Sequence, residues 1–294
     1  MKDGTIRNRN RRPFKPSAIR SYEQSLRNYL RPEFGSVRLC DLTRNDIQDF
    51  VDALLAQGLD PSTVRNSIMP LRVIYRRAVR RGVVMVNPMT DLELPAVTGR
   101  RDRVASPAEA EALLAVLPED DRAVWATAMY AGLRRGELWA LQADRVDLQA
   151  RLIHVERSWD RYEGNIDLKS EAGRRIVPIC DHLRAYLDKG SGFYFGSEAG
   201  PFNYDALIAR AKKAWADAGL RPITLHECRH SFSTFLDAAG VSETRADIYM
   251  GHANHSVSRR YRHPSQYAED SARLDEYLSG VEAGKVVSLE ERAA

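Results

Sequence analysis

Apolar residues recur at helical spacing in the first hundred residues of the chain. Val64 is followed by four apolar positions that return to the same face of one predicted helix: Ile68, Leu71, Tyr75 and Ala78. Another face of this helix carries four arginines: Arg65, Arg72, Arg76 and Arg80. Residues that favour helix N-caps precede three predicted helices, at Ser17, Thr43 and Ser62. The pattern predicts an all-helical first domain whose third helix packs on one face and is basic on another.

Proline and glycine mark the end of this domain. The pair Asn87-Pro88 closes the helical pattern, and residues 91–103 carry proline, glycine and charge without periodicity. A second domain begins with Ser106 and Glu109, whose spacing is that of a capping box. The predicted order is a basic arm at 1–16, a helical domain at 17–90, a linker at 91–103, a second domain at 104–280 and a tail at 281–294.

The second domain combines the hydrophobic periodicity of strands with that of helices. Short strands are predicted at residues 152–159, 165–168 and 174–178, joined by glycine-containing turns into a small antiparallel sheet. Helices are predicted at residues 204–218, 226–239, 243–250, 256–262 and 270–278. The pattern therefore predicts a mainly α protein with one small antiparallel β-sheet.

Charge is distributed unevenly along the 294 residues. The formal net charge is +4, but residues 1–103 hold 20 Lys and Arg against 11 Asp and Glu, which leaves the remainder acidic. A basic module favours a polyanionic partner, nucleic acid first and an anionic membrane second. The membrane is disfavoured because no apolar run approaches the roughly 18 residues of a spanning helix. Three widely spaced cysteines, Cys40, Cys180 and Cys228, favour a cytoplasmic protein without a disulfide framework.

Two arginine-containing features have ordinary explanations when each is taken alone. Arg134 stands between a turn and a predicted helix, where backbone N–H groups also point outward and favour an anion. An arginine in that position is nevertheless more often a plain surface residue. The arginine stripe of the third helix is likewise either a solvated face or a phosphate-contacting one.

Residues 226–230 spell H-E-x-x-H, the pattern in which two histidines bind zinc and a glutamate acts as general base. The extended form of the motif fails, because Ser233 and Leu236 occupy the positions of its glycine and third histidine. A shorter form would need a downstream ligand such as Glu243 or His252, and nothing in the sequence favours either. We interpret the match as a coincidence and expect no metal site.

Several short sequence motifs form a specific pattern when they are taken together. Arg134, the pair His226 and Arg229, then His252 after Gly251, and finally Tyr261 occur in an order and spacing that resemble the tyrosine recombinases, also called the phage integrase family. The turn at residues 167–178 is similar to the lysine-bearing hairpin of that family. The resemblance covers nearly the whole chain. Cys228 replaces a usual leucine and Ser258 a common threonine, neither of which needs to perform chemistry.

The resemblance implies both a fold and a site. The fold is a helical, SAM-like core-binding domain at 17–90 and a mixed α+β catalytic domain at 104–280, which together clamp DNA. The implied catalytic residues are Arg134, Lys169, His226, Arg229, His252 and Tyr261. The candidate DNA-binding residues come from the charge pattern and are the four arginines of the third helix.

These residue types suit phosphoryl transfer. The phenol of Tyr261 would attack phosphorus, with His226 as base or proton shuttle, because a phenol with a pKa of about 10 is a poor nucleophile at neutral pH. Arg134 and Arg229 match the geometry of the non-bridging oxygens as charge builds on them. The implied product is a 3′-phosphotyrosine that needs neither nucleotide nor metal to reverse.

Two further groups complete this scheme. His252 would donate a hydrogen bond to the same phosphate, since a neutral imidazole has one donor nitrogen. Lys169 would protonate the leaving 5′ oxygen, which is strongly basic. Tyr249 and Tyr267 compete with Tyr261 as nucleophiles, but both are interpreted as packing residues.

Three functions remain distinguishable from the sequence. The first is site-specific recombination by a homo-tetramer on double-stranded DNA, helped by accessory DNA-bending or directionality proteins. A type IB topoisomerase-like enzyme would share the chemistry as a monomer, and a non-catalytic DNA-binding regulator would share the scaffold. Because only 16 residues precede the helical domain, we expect the arm-binding domain of many integrases to be missing, or the chain to be a fragment.

Overall fold

The computed structural model describes residues 6–7, 13–97, 103–168, 173–188, 190–252 and 264–280. The chain divides into two compact units, Met1–Arg100 and Arg101–Ala294. The division lies inside the segment predicted as a linker. The other predicted boundaries stay predictions.

The first unit is helical, as its pattern predicts. After α1 (Pro16–Ser25) and a π-helical segment (Leu26–Leu30), four helices follow: α2 (Arg31–Phe34), α3 (Arg44–Ala56), α4 (Pro61–Ser67) and α5 (Met69–Arg80). The predicted apolar face is confirmed, because all five of its residues are buried in one core. The Tyr75 hydroxyl also donates to the Leu39 carbonyl at 2.8 Å.

The sequence prediction was wrong on two N-caps and on one continuous helix. Thr43 caps α3 in a reciprocal capping box with Asp46. Ser17 and Ser62 do not cap, because Pro16 and Pro61 begin their helices, a position that suits a residue without an N–H. The third predicted helix is interrupted at Ile68, two residues before Pro70, and the structure therefore divides it into α4 and α5.

The second unit surrounds a larger apolar core. Its helices are α6 (Pro107–Ala115), α7 (Glu119–Tyr130), α8 (Arg135–Ala140), α9 (Asp181–Arg184), α10 (Tyr204–Asp217), α11 (Leu225–Ala238), α12 (Glu243–Met250) and α13 (Pro264–Gly280). The predictions for α10, α11 and α12 are confirmed to within one residue, and the prediction at 270–278 covers only the second half of α13. The predicted helix at 256–262 lies outside the described residues.

The core joins helices distant in sequence. Trp125 of α7 and Trp215 of α10 meet edge to face with ring centroids 4.8 Å apart, and the Trp215 indole donates to the Leu113 carbonyl of α6. At one end of α7, Asp121 accepts two hydrogen bonds from Arg210 of α10, each of 2.7 Å. Apolar packing and this charged pair hold α10 against α6 and α7.

The single predicted sheet is two sheets in the structure. Strands β1 (Val146–Asp147), β2 (Leu152–Val155) and β5 (Arg175–Pro178) form one antiparallel sheet in the order β1-β2-β5, and β3 (Arg157–Asp160) pairs with β4 (Gly164–Asp167) in the other. The predicted strand at 152–159 is interrupted at Glu156, because its two halves pair with different partners. Alternation in sequence does not reveal such a change of partner.

The mainly α fold with small antiparallel sheets is confirmed. Within the described ranges, no helix is both long and apolar enough to cross a lipid bilayer. The fold brings the start of α8, the first half of α11, the end of α12 and the start of β5 together.

We expect the Trp215→Ala substitution to lower the free energy of unfolding of the second unit by about 3–5 kcal/mol, because it removes a buried ring and leaves a cavity. All four tryptophans of the chain lie in this unit, so urea denaturation followed by fluorescence reports on it. The exposed neighbour Lys212 is the control, and Lys212→Ala is expected to change stability by less than about 0.5 kcal/mol. Equal effects of the two substitutions would contradict this packing.

Candidate active site

The turn before α8 is built around Gly132. Its backbone has φ 62°, and a β-carbon at this position would lie 2.4 Å from the ring of Phe232 on α11. Glycine is the residue that satisfies both constraints. The close approach of the turn to α11 places Arg134, at the start of α8, on the same side of the unit as the first turns of α11.

A single carboxylate, that of Glu137, organises this end of α8. Its Oε1 accepts from the Arg134 guanidinium at 2.9 Å, and its Oε2 accepts from the Arg134 backbone N–H at 2.8 Å. The Glu137 side chain is only 2% exposed, whereas that of Arg134 is 42% exposed. Arg134 is therefore fixed at its base while its guanidinium stays accessible to solvent.

Arg175, the first residue of β5, binds the same carboxylate with both terminal nitrogens. Its Nη1 donates to Oε1 of Glu137 at 3.0 Å and its Nη2 to Oε2 at 2.8 Å. Burial raises the pKa of Glu137, but the charge and hydrogen bonds of Arg175, with those of Arg134, outweigh it and lower the pKa to about 2. Glu137 is thus ionised and shared between two guanidinium groups.

Arg229 on α11 is buried beside this group. Its guanidinium donates to the carbonyl of Gly132 and to the carbonyl of Met250 at the end of α12. Burial lowers the pKa of Arg229 to about 9, and the positive charges of Arg134 and Arg175 contribute to the shift. The side chain is still protonated at neutral pH, so three cations here face one carboxylate.

The end of α12 presents two consecutive carbonyls to these arginines. Arg229 binds Met250, as above, and the second Nη of Arg134 donates to the carbonyl of Gly251 at 3.2 Å. Gly251 ends the helix in a left-handed conformation with φ 62°. The next residue, His252, therefore directly follows the two carbonyls that the guanidinium groups bind.

The two predicted histidines differ in their surroundings. Burial lowers the pKa of His226 on α11, and so do the nearby His230, Arg229 and Arg134. His226 is therefore neutral at pH 7, able to accept a proton. His252 is half exposed, and its Nδ1 lies 3.0 Å from Oδ1 of Asp247.

The glutamate of the H-E-x-x-H stretch has a local role. Glu227 accepts from the Thr224 backbone N–H at 2.7 Å, and Thr224 receives the Glu227 N–H in return, so the pair forms a capping box that begins α11. In the part of the chain that the structure describes, no three His, Cys, Asp or Glu side chains are placed to hold a metal ion.

The two competing tyrosines are buried, as interpreted from the sequence. Tyr249 donates from its hydroxyl to Oδ2 of Asp270 at 2.6 Å, and its ring centroid lies 6.0 Å from that of Tyr267. Burial raises the pKa of Tyr249 far above its usual range, and the hydrogen bond to Asp270 raises it further. Neither phenol is placed to act as a nucleophile.

Comparisons with known proteins identify the family of the chain. The profile of the Phage integrase family matches residues 103–267, more than half of the chain, and that of the Phage integrase N-terminal SAM-like domain matches residues 9–55. The chain belongs to the phage integrase family. The resemblance inferred from the sequence is therefore confirmed.

Curated members of the family align over most of the chain. A tyrosine recombinase XerC of Xylella fastidiosa (strain M23) is 28% identical over 243 residues, covering 76% of each chain. A tyrosine recombinase XerA of Thermococcus kodakarensis is 29% identical over 283 residues, covering 90% of this chain and 92% of its own. An ICEBs1 integrase of Bacillus subtilis is 22% identical over 290 residues, covering 90% of this chain and 79% of its own.

Solved structures of integrases share the fold. The Tn1549 transposon integrase in complex with transposon right end DNA gives a TM-score of 0.71 at 20% identity, covering 91% of this chain and 95% of its own. A lambda integrase tetramer bound to a Holliday junction gives a TM-score of 0.62 at 16% identity, covering 85% of this chain and 74% of its own.

Some predicted residues of this integrase-family chain lie outside the described residues. Both Lys169 and Tyr261 do so. The structure brings together Arg134, His226, Arg229 and His252. In the first unit, Arg76 and Arg80 are exposed on α5, Arg72 is half-buried, and Arg65 donates from Nε to the Pro95 carbonyl at 2.7 Å.

Arg175 was not predicted from the sequence. The signal for Arg175 was weak, because Arg174 stands next to it and sequence alone gives no reason to choose between them. The register of β5 distinguishes the two arginines, because it buries Arg175 and leaves Arg174 exposed.

The electrostatics of this family member can be tested through His226. We expect its pKa to lie below 6.5 in the wild-type protein and to rise in Arg134→Gln, because that substitution removes a nearby positive charge. Histidine NMR titration measures both values. The matched control is Arg135→Gln at the exposed neighbouring position, which is expected to have a smaller effect.

The same shift predicts a direction for stability. Between the folded and unfolded pKa values the unfolded chain binds more protons at His226, so this group contributes stability above pH 6.5 that is lost as the pH falls through the folded pKa. A pKa above 6.5 for His226 in the wild-type protein would contradict the surroundings described for its ring.

Proposed function

We propose that this chain is a site-specific DNA recombinase that cleaves and rejoins DNA strands through a 3′-phosphotyrosine link to Tyr261. The observation that carries the proposal is that Arg134 and Arg229 are fixed on the consecutive carbonyls of Gly251 and Met250, beside His252. The names of the aligned relatives, tyrosine recombinases and integrases, support the same activity.

The charge balance of the site supports a phosphate ligand. Arg134, Arg175 and Arg229 outnumber the single carboxylate of Glu137. Burial lowers the pKa of Arg229, and the positive charges of Arg134 and Arg175 lower it further. A phosphate diester would bring one negative charge to this place. The two guanidinium groups then stabilise the charge that grows on the non-bridging oxygens during attack, which is the main electrostatic contribution to such catalysis.

His226 is proposed as the base that accepts the phenol proton of Tyr261. Its lowered pKa keeps it unprotonated at neutral pH, so it has a free ring nitrogen for this purpose. The proton leaves the phenol as the new oxygen–phosphorus bond forms. The Tyr261 phenolate thereby need not exist before the attack.

His252 is proposed to donate a hydrogen bond to the same phosphate. Its Nδ1 lies 3.0 Å from Oδ1 of Asp247, and this contact orients the ring, so Nε2 is the atom left for a ligand.

Lys169 is proposed as the acid that protonates the leaving 5′ oxygen. A lysine ammonium on a turn suits this step because it carries a transferable proton on a flexible stem. The reaction then needs no ATP or metal ion, since the phosphotyrosine retains the energy of the broken bond and the 5′ hydroxyl of another strand reverses the attack.

The partner proposed for both units is double-stranded DNA. In the first unit, the exposed Arg76 and Arg80 and the half-buried Arg72 would contact the phosphate backbone, whereas Arg65 is already engaged with Pro95. Exchange of strands between two sites requires several protomers, so we propose a homo-tetramer on DNA, with accessory DNA-bending or directionality proteins as further partners. We propose that the protein acts in the cytoplasm, associated with DNA.

Formation of a covalent adduct tests the nucleophile. We expect the wild-type protein to form an SDS-stable adduct with a duplex that it has selected from a random-sequence pool and that carries a nick near the cleavage point. Tyr261→Phe should abolish the adduct, because it removes the attacking oxygen. Gel electrophoresis of the labelled duplex measures the adduct.

The matched control is Tyr267→Phe, which removes the hydroxyl of a buried tyrosine and is expected to leave the adduct unchanged. An adduct formed by Tyr261→Phe would contradict the assignment of Tyr261 as the nucleophile. Addition of EDTA is expected to leave the yield unchanged, and a loss in EDTA that zinc restores would revive the metal interpretation of residues 226–230.

Binding to a 30-base-pair duplex at different salt concentrations tests the arginines of α5. We expect Arg76→Gln and Arg80→Gln each to reduce the slope of log K against log salt by about 0.9, the value for one phosphate contact. Arg38→Gln is the control, because Arg38 in the same unit is already paired with Asp41. An unchanged slope in all three variants would contradict a phosphate-contacting role for α5.

A further inference from the structure

Arg175 is a buried cation at the centre of the site that has no part in the proposed chemistry. Its side chain is 1% exposed, so it cannot bind a phosphate that enters from solvent. It nevertheless uses all three guanidinium nitrogens. Every one of these hydrogen bonds goes to a segment that adjoins a proposed catalytic residue.

The first contact is with the helix that carries Arg134. The two terminal nitrogens of Arg175 bind the two oxygens of Glu137, and the same oxygens bind the guanidinium and the backbone N–H of Arg134. A carboxylate held at both oxygens has one orientation. Arg175 thus determines where Glu137 lies, and Glu137 determines the position of Arg134.

The second contact is with the end of α12. The Nε of Arg175 donates to the carbonyl of Tyr249, the residue that precedes the carbonyls bound by Arg229 and Arg134. Three successive carbonyls, those of Tyr249, Met250 and Gly251, are therefore each bound by a different arginine. This arrangement fixes the backbone immediately before His252.

The third contact is with the turn between β4 and β5. Nη1 of Arg175 also donates to the Gly173 carbonyl at 3.2 Å. Gly173 is the first described residue after the segment that contains Lys169. One side chain consequently joins α8, the end of α12 and Gly173.

Arg175 also adjusts the charge available to a ligand. If Glu137 were paired with Arg134 alone, its full negative charge would oppose the charge that Arg134 offers to a phosphate. Because Arg175 binds the same carboxylate in a buried place, where electrostatic interactions are strong, more of the positive field of Arg134 remains for the ligand.

We propose that Arg175 is a positioning residue of the strand-cleavage reaction, which holds Glu137, and through it Arg134, together with the backbone that leads to His252. This inference rests on the proposed function. It predicts that Arg175 controls the rate of the chemical step far more than the affinity for DNA, because DNA affinity comes from many phosphate contacts elsewhere.

The test compares Arg175→Lys and Arg175→Gln with the wild-type protein. Lysine retains the charge but has no planar fork, so it cannot bind both oxygens of Glu137 and the Tyr249 carbonyl in the same geometry. We expect the single-turnover rate of adduct formation at saturating DNA to fall about 10-fold in Arg175→Lys and about 100-fold in Arg175→Gln. The dissociation constant for the selected duplex should change by less than about threefold.

Arg174→Gln is the matched control, because Arg174 is adjacent on the chain, carries the same charge and is exposed. Its rate of adduct formation should stay within about threefold of wild type. A second variant, Glu137→Gln with Arg175→Gln, removes both buried charges and so avoids an unpaired carboxylate. We expect it to fold and to remain about as slow as Arg175→Gln, since Arg134 then loses the carboxylate that holds it and keeps only its hydrogen bond to the Gly251 carbonyl.

Each result decides between the alternatives. A wild-type rate in Arg175→Lys would overturn the inference, because charge alone would then suffice, and so would a wild-type rate in the double variant. If thermal denaturation finds every Arg175 variant unfolded at the assay temperature, Arg175 is a folding residue and the inference is equally overturned. A wild-type protein that forms no adduct at all contradicts the proposed function instead.

Discussion

The carboxylate of Glu137, shared between Arg134 and Arg175, is the interaction on which the rest of the site depends. Burying this carboxylate without a partner would cost free energy. A single arginine would leave part of the hydrogen-bonding capacity of the carboxylate unused. Two guanidinium groups and a backbone N–H occupy both oxygens. In return the carboxylate allows the buried Arg175 and the partly exposed Arg134 to lie close together.

The same arrangement explains why the site is suited to an anion. Arg229 joins the other two arginines without a carboxylate of its own and donates to backbone carbonyls instead. Carbonyl oxygens orient a guanidinium but do not cancel its charge. The positive charge is therefore preorganised before any ligand arrives, which is the condition under which electrostatic stabilisation of a transition state is most effective.

The sequence predicted much of the fold and part of the site, for identifiable reasons. Helix α10 is amphipathic and is capped by the Asn203 side chain, and α12 ends at the left-handed Gly251, so both were located to within one residue. The division at Glu156 could not be predicted, because strand pairing is a long-range property. Arg175 was missed for the same reason, since its partners Glu137 and Tyr249 lie 38 and 74 residues away in sequence.

A crystal structure of the Tyr261→Phe variant bound to its selected duplex would test the central claim most directly. The account predicts that the non-bridging oxygens of one phosphate lie within about 3 Å of both Arg134 and Arg229, while Glu137 remains bound to Arg175. A phosphate out of reach of the two arginines, or a Glu137 carboxylate released from Arg175 in the complex, would contradict it.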